Sequence, residues 1–410
     1  MAIDWRDLTH EHRVTVQMVS QTNLYESWGT LEGVDLSAST LDAGYYTDTR
    51  TSGTLRVHGE GWVRGSFLRI IHEVPEFGYR NVLGTYIVTN DDAQRGVGDW
   101  SYDLELHSTL MGLSGDLLTR PWSIAKGASA LDCAKQVLVA SGMHSMRKTI
   151  GSFSGALDAK VELDDSLADD IKATTAQVMR AGTSRLECLY ALAAMSRNRM
   201  DVAPNGHILF TKHVDPSAKT PKLRIDLSDR RGVVVAGSLS RHTNWLEMPD
   251  TVAVEHDYSA DVETGETYQS SGTRSDGTSY NAGDPKTKSE QTTLYGIARV
   301  PASAHQAVAN RGYSIVSFYS VQDMTPKTAK RANEVAAEYL NKGMHQLVEW
   351  ELDCCYLPVW EGDVVELRVL DGHPSYRGTR KCLVKDVSIN LGTMGMHLTL
   401  KETASGDWED

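Results

Sequence analysis

The chain has 410 residues, with 41 Lys and Arg against 54 Asp and Glu, a net charge of −13, 40% hydrophobic and 23% charged residues. At about 150 residues per domain this allows two to four domains, and the composition is that of a folded chain, not of a disordered, collagen-like or membrane-spanning one. The negative balance repels phosphate backbones, so sequence-specific nucleic-acid binding is not expected.

The start, Met1-Ala2-Ile3-Asp4-Trp5-Arg6-Asp7, carries acids where a signal peptide needs a basic stretch and an apolar core. No run approaches the ~18 apolar residues of a membrane helix, so stable membrane insertion is not expected and the protein should stay where it is made. Cys133, Cys188, Cys354, Cys355 and Cys382 contain no C-x-x-C pair, which argues against a disulfide scaffold or a zinc site and fits a reducing, cytoplasmic origin. Adjacent Cys354 and Cys355 would point to opposite faces of a strand as small buried or half-buried side chains.

Residues 1–115 read as consecutive strands, because apolar residues recur with period two between glycine-rich or polar turns. Val14 to Met18, Gly53 to His58, Ser66 to Ile71, Gly84 to Thr89 and Trp100 to His107 are the clearest runs, and five or more short strands in series point to a small barrel or sandwich. Residues 116–200 change period. Ser129 precedes a helical pattern through Leu138 that stops at Gly142, and Ser184 with Glu187 makes a capping box ahead of a second helix ending near Arg197.

Residues 201–325 read as a second β-rich unit. Pro204-Asn205-Gly206 turns into the strand His207 to Thr211, Val233 to Val235 and Val252 to His256 continue the pattern, and 259–291 is polar and glycine-rich enough to predict an exposed loop or hairpin. In 326–410 a third helix is expected to open at Thr325-Pro326, with Ala332, Val335, Ala336, Tyr339 and Leu340 on one face before Gly343. It leads to four closing strands: Val348 to Cys354, Gly362 to Leu367, Leu383 to Ile389 and Met396 to Leu400. The expected fold is mainly β with an α+β centre, two small antiparallel barrels at the ends bracketing mixed central domains.

The catalytic scan is mostly negative: no G-x-S-x-G, H-E-x-x-H, P-loop or complete calcium loop occurs. Ser-x-x-Lys occurs at Ser123 and Ser145 without the companions of an acyl-serine site. His10 and His12 share a strand face and can hold a metal or be two solvated terminal side chains, and Asp164, Asp165, Asp169 and Asp170 can serve acid-base work or start a solvated acidic helix. Trp62, Trp100, Trp245, Trp350 and Trp360 can line a sugar cleft or fill the core. No cofactor, metal or catalytic residue is assigned, and a His-Asp dyad brought together by folding stays open.

The order of parts resembles the baseplate hub, or tail-tip hub, proteins of long-tailed bacteriophages and related contractile injection machines. The likeness lies in a first barrel whose late strand carries Gly84-Thr85-Tyr86-Ile87-Val88, helical insertions in a second β unit, and a last barrel with Gly362-Asp363-Val364-Val365 that ends on Leu400-Lys401-Glu402. It implies a homotrimer whose terminal barrels alternate as six ring positions, so that a trimer fits a hexameric tail tube and forms part of the DNA channel. The implied partners are the tail tube or distal tail protein, the tape measure protein and tip, fibre or spike proteins, in a virion assembled in the bacterial cytoplasm. Many members add a C-terminal wall-degrading domain; this chain stops at Asp410, about eight residues past the last strand, so no enzyme is expected on it. The alternatives are a wall-degrading or carbohydrate-binding protein, and a distal tail ring or fibre-anchoring protein.

Overall fold

The computed structural model describes residues 10–20, 26–59, 61–96, 99–129, 161–163, 177–195, 198–212, 216–227, 233–243, 249–273, 279–300, 312–321, 327–345, 348–370 and 377–403, with residues 5, 24, 132, 133, 136, 137 and 214. Two compact units divide the chain: unit 1 is 1–242 with 348–410, and unit 2 is 243–347.

Unit 1 opens with seven strands, β1 (Arg13–Val19), β2 (Ser27–Thr30), β3 (Val34–Gly44), β4 (Thr51–His58), β5 (Phe67–Val74), β6 (Tyr79–Arg95) and β7 (Trp100–Ser108). Strand β4 shows why the period-two reading works: Leu55 and Val57 are buried while Thr54, Arg56 and His58 are exposed. Three short strands follow, β8 (Trp122–Ile124), β9 (Val161–Leu163) and β10 (Gln177–Met179), then helix α1 (Arg185–Met195), β11 (Asn198–Val202), β12 (Ile208–Lys212), β13 (Leu223–Asp226) and β14 (Ser240–Thr243).

Helix α1 starts as its sequence requires. Ser184 Oγ accepts from the Glu187 amide at 3.1 Å, and the Glu187 carboxylate accepts from the Ser184 amide at 3.1 Å. Its Leu186, Leu189 and Leu192 then enter a core with Leu24, Leu110, Leu113, Met200 and Ile208. Ser184→Ala is expected to cost about 1 kcal/mol, read from urea denaturation midpoints. The helix expected after Ser129 is described only in part: Ser129 Oγ accepts from the Asp132 amide at 3.0 Å, as a capping residue does, and the end at Leu138 to Gly142 lies outside the described residues.

In unit 2, β15 (Thr251–Thr267) and β18 (Pro285–Arg299) form one long antiparallel ribbon, tipped by β16 (Gly272–Thr273) and β17 (Ser279–Tyr280) and joined in parallel by β19 (Val316–Ser320). Of the loop or hairpin expected over 259–291, the described residues form the hairpin. Helix α2 (Ala329–His345) lies on one face, packing Ala332, Val335, Ala336 and Leu340 against Val252 and Val254. It starts later than expected, because Thr328 is the capping residue: its Oγ1 accepts from the Arg331 amide at 3.2 Å. Thr325 and Pro326 lie outside the described residues, and Gly343 does not end the helix. The helix belongs to the core of unit 2, not to the closing strands with which the sequence grouped it.

The chain returns to unit 1 as β20 (Val348–Cys354), β21 (Val364–Val369), β22 (Gly378–Asn390) and β23 (Met396–Glu402). These do not stand apart from the N-terminal strands. A 13-stranded sheet runs β14-β20-β23-β22-β3-β4-β7-β6-β5-β1-β2, with β21 and β13 branching from β22. The joint is β22, whose 378–383 portion pairs with β21 and whose 386–390 portion pairs with 40–44 of β3. The fold is thus mainly β with large antiparallel pairings, and no closed barrel is present among the described residues. The two terminal strand sets do not stand apart as separate units: they share one sheet, because the last half of β22 pairs with β3.

All five cysteines are thiols, with Cys355 half-buried and the others buried. No described helix is long and apolar enough to cross a membrane.

Candidate functional site

The residues that carried the family resemblance fall at two places in unit 1. On β6, the buried Tyr86 folds its ring over Gly84, where any Cβ would fall on the phenol. Thr85 Oγ1 donates to the Pro204 carbonyl at 2.9 Å and accepts from Arg69 Nε at 3.1 Å, so this strand anchors the turn that precedes β12. The other cluster surrounds the turn before β21. Gly362 sits at φ +82°, donates to the Val384 carbonyl at 2.9 Å and accepts from Lys219 Nζ at 2.9 Å. Asp363 Oδ2 accepts from the Trp360 amide and from Lys222 Nζ, both at 2.8 Å. Val364 packs with Tyr45 and Leu383, Leu400 is buried opposite Trp350, and Lys401 Nζ lies 4.9 Å from the Tyr46 ring centre.

Between these groups lies a buried charged joint that the sequence did not single out. Arg199, on β11, donates to Asp201 Oδ2 at 2.9 Å and lays its guanidinium 3.7 Å from the Tyr45 ring centre. Arg50 donates to the Met200 carbonyl at 3.0 Å and to the Tyr45 carbonyl. Glu361 is only 8% exposed, and its Oε2, like Arg199 Nη2, is buried without a hydrogen-bond partner among the described residues. Burial first, and Asp201 second, push the Glu361 carboxyl well above the usual range, against the pull of Arg199. Burial and the nearby Arg199 pull Lys219 down. Three segments distant in sequence, 45–50, 199–201 and 360–363, are tied here by charge and backbone carbonyls. The chemistry is that of a joint: Arg50, Arg199 and Asp201 hold chain segments together, beside the unpartnered Glu361 Oε2 and Arg199 Nη2.

The two histidines at the start of the chain meet different partners. His10 Nδ1 meets Glu76 Oε2 at 3.0 Å, whereas His12 Nδ1 meets His72 Nε2 at 2.9 Å with the rings stacked. Neither is a solvated end, since His10 keeps 11% of its side chain exposed and His12 packs against Tyr356. No cluster of potential metal ligands occurs among the described residues. Burial, and then its histidine partner, hold His72 down at about 4, and burial and His10 lower His12. A histidine held below its unfolded value of 6.5 makes folding strongest above pH 6.5 and weaker as pH falls towards 4. His72→Phe is expected to flatten that window, where the wild type loses at most about 1.4 kcal/mol per pH unit, as read by denaturation midpoints from pH 4 to 7.

The other candidates do not converge. Asp164, Asp165, Asp169, Asp170, Ser145, Lys148 and Trp245 lie outside the described residues. Trp350 is buried and donates to Glu402 at 2.7 Å, while Trp100 is 42% exposed on β7, so these two do not face one cleft. A His-Asp pair does form, His397 Nδ1 to Asp353 Oδ1 at 2.7 Å, across β23 and β20. Ser388 stands opposite His397 in register and both line a cavity of about 210 Å³ with residues of β3 and of the turn at 47–50, yet no hydrogen bond joins the hydroxyl to the imidazole.

No protein-family profile and no curated protein matches this sequence. Solved structures do. The tail protein of Neisseria meningitidis MC58 is similar at TM-score 0.61 and 10% identity, over 96% of this chain and 97% of that one. The fold is that of tail proteins. The 43 kDa tail protein of prophage MuSo2 from Shewanella oneidensis is similar at TM-score 0.57 and 9% identity, covering 96% and 99% of the two chains. A prophage tail protein from Listeria monocytogenes is similar at 0.51 and 11% identity, over 96% and 95%.

Proposed function

We propose that this chain is a non-enzymatic structural protein of a phage-type tail, a hub that joins the hexameric tail tube to the tip as a homotrimer and forms part of the DNA channel. The observation that carries the reading is the end-to-end likeness to three tail proteins of nearly the same extent, with both terminal strand sets included. The topology supports the ring positions. The N-terminal set runs from β4 through β7, β6, β5 and β1 to β2, and Leu31 to Gly33 alone separate β2 from β3, the neighbour of β4. The Leu31 amide still bonds to Val16 of β1, and the Gly33 carbonyl to His58 at the end of β4, so this corner brings the two ends of the set together as a small barrel requires.

Three chains, each with an N-terminal and a C-terminal strand set, supply six places, and the shared strand β22 fixes the two sets of one chain together. Identical chains close such a ring by repeating one contact. The net charge of −13 suits a lumen through which DNA slides without being held. The partners are the tail tube or distal tail protein, the tape measure protein and tip, fibre or spike proteins, in a particle assembled in the bacterial cytoplasm.

Mass measurement of the purified chain and reconstruction of the tail test this together. Three copies at the end of the tube are expected. A monomer in the mature particle, six copies in one ring, or hydrolysis of host wall by this chain alone overturns the proposal.

A further inference from the structure

The sheet of unit 2 has two faces, and among the described residues only one is covered. On the inner face Val252, Val254 and Ala298 pack against α2. On the outer face the register aligns Ile297, Ala253 and Phe318 in one row across all three strands, with Tyr295 and Glu255 on one side of it and Arg299, Thr251 and Val316 on the other. Tyr295, Ile297, Val316 and Phe318 are each 54–61% exposed, so four large apolar side chains stand in water on a single small face. Scattered exposed apolar residues need no explanation, but a contiguous group on an uncovered sheet layer marks an interaction surface. The outer edge of β19 has no strand beside it among the described residues.

We infer that this face is a contact between copies of this chain: the row Ile297–Ala253–Phe318 of one copy packs on the same surface of its neighbours in the trimer. The inference rests on the trimeric reading above and names the surface that such an assembly uses. Two observations select a second copy as the occupant. The first is size. Four half-exposed side chains amount to a few hundred Å², below the roughly 800 Å² per partner of a stable complex. An occupant held by this face alone would dissociate, whereas a copy already tethered through the terminal strand sets meets it at high effective concentration.

The second observation is charge. Arg299 lies towards one end of the face and Glu255 towards the other, and among the described residues neither forms an ion pair. A partner of single sign would be repelled at one end. A copy of the same face carries both signs, so Arg299 of one copy can pair with Glu255 of the next, while the central row brings no charges together.

Cysteine cross-linking and mass measurement on the full chain test the contact. Ile297→Cys treated with a short bismaleimide is expected to yield covalent dimers and trimers. Wild type and Lys330→Cys, whose lysine is exposed on α2 behind the sheet, should not. Phe318→Asp, at a position that is 57% exposed and should leave the fold intact by circular dichroism, is expected to raise the concentration at half dissociation by about tenfold or more. A trimeric wild type in which Ile297→Cys fails to cross-link, or Phe318→Asp dissociates no more readily, overturns this contact and leaves the trimer standing. Cross-links formed to another tail protein in place of a second copy overturn it as well. A monomeric wild type whose Ile297→Cys chains still cross-link to one another in a concentration-dependent way overturns the trimer and keeps the contact; a monomer that does not cross-link removes both.

Discussion

Arg199→Ala is expected to destabilise unit 1 by about 3–5 kcal/mol, the cost of leaving buried charge without its counterion. The guanidinium sits 2.9 Å from Asp201, covers the Tyr45 ring and draws down the carboxyl of the buried Glu361. Alanine removes the cation and the stacking plane together, leaving the buried Glu361 beside the partly exposed Asp201. Arg199→Lys should recover only part of the loss, because a point charge on a flexible stem cannot both pair with Asp201 and lie flat on Tyr45. The pH dependence has a definite sign. Glu361 is held above its ordinary value in the folded state, so its favourable contribution is full below pH 4.5 and is lost as pH rises through the raised value. The Arg199→Ala penalty should therefore be smaller at pH 5 than at pH 8, and Glu361→Gln in the same chain should restore much of it at pH 8. Urea denaturation at the two pH values decides the matter: a cost below about 1 kcal/mol, or one that does not change with pH, shows that the joint is not an electrostatic one.

Much of this architecture was legible because strands with one buried face write their period into the sequence. The runs beginning at Val14, Gly53, Ser66, Gly84 and Trp100 all became strands, as did the four closing runs, and the Ser184–Glu187 capping box formed as spaced. The long ribbon of β15 and β18 was legible only as an exposed loop or hairpin over 259–291, since its Ser, Thr, Glu and Lys residues carry no amphipathic signal that separates the two; cross-strand pairing and the β propensity of threonine make it a hairpin. The single shared sheet was hidden for another reason. Strand β22 looks like any closing strand, and nothing local tells that its last five residues pair with β3, over 340 positions away. The Gly362-Asp363 turn was visible as a motif, while Arg50, Arg199 and Glu361 were not, because tertiary folding alone brings them to one place. A faint signal existed: Arg199 and Asp201 alternate on one strand face beside no obvious partner, and a glutamate directly before a turn glycine had no surface role.

Gly296→Ala is expected to cost unit 2 about 3 kcal/mol or more, a large effect for the addition of one methyl group. The residue lies on β18 opposite Val254, where α2 crosses the sheet, and a Cβ there would fall on the carbonyl of Ala332. Ordinary overpacking is relieved when a flexible neighbour changes rotamer, at about 1–3 kcal/mol. Here the obstacle is the backbone of the helix, so relief requires α2 to lift and to loosen its contacts with Val252, Val254 and Leu294. Burying each such aliphatic side chain contributes about 1.5–3 kcal/mol, so a small separation is felt by several at once. Hydrogen exchange locates the damage: amides of Thr251 to Glu255 and of α2 should lose protection while those of β20 to β23 in unit 1 keep it. Glu290→Ala, on the exposed part of the same strand, should change stability by no more than about 0.5 kcal/mol. If Gly296→Ala proves equally mild, the helix does not approach the strand this closely, and the small residue at 296 must be explained by the strand alone.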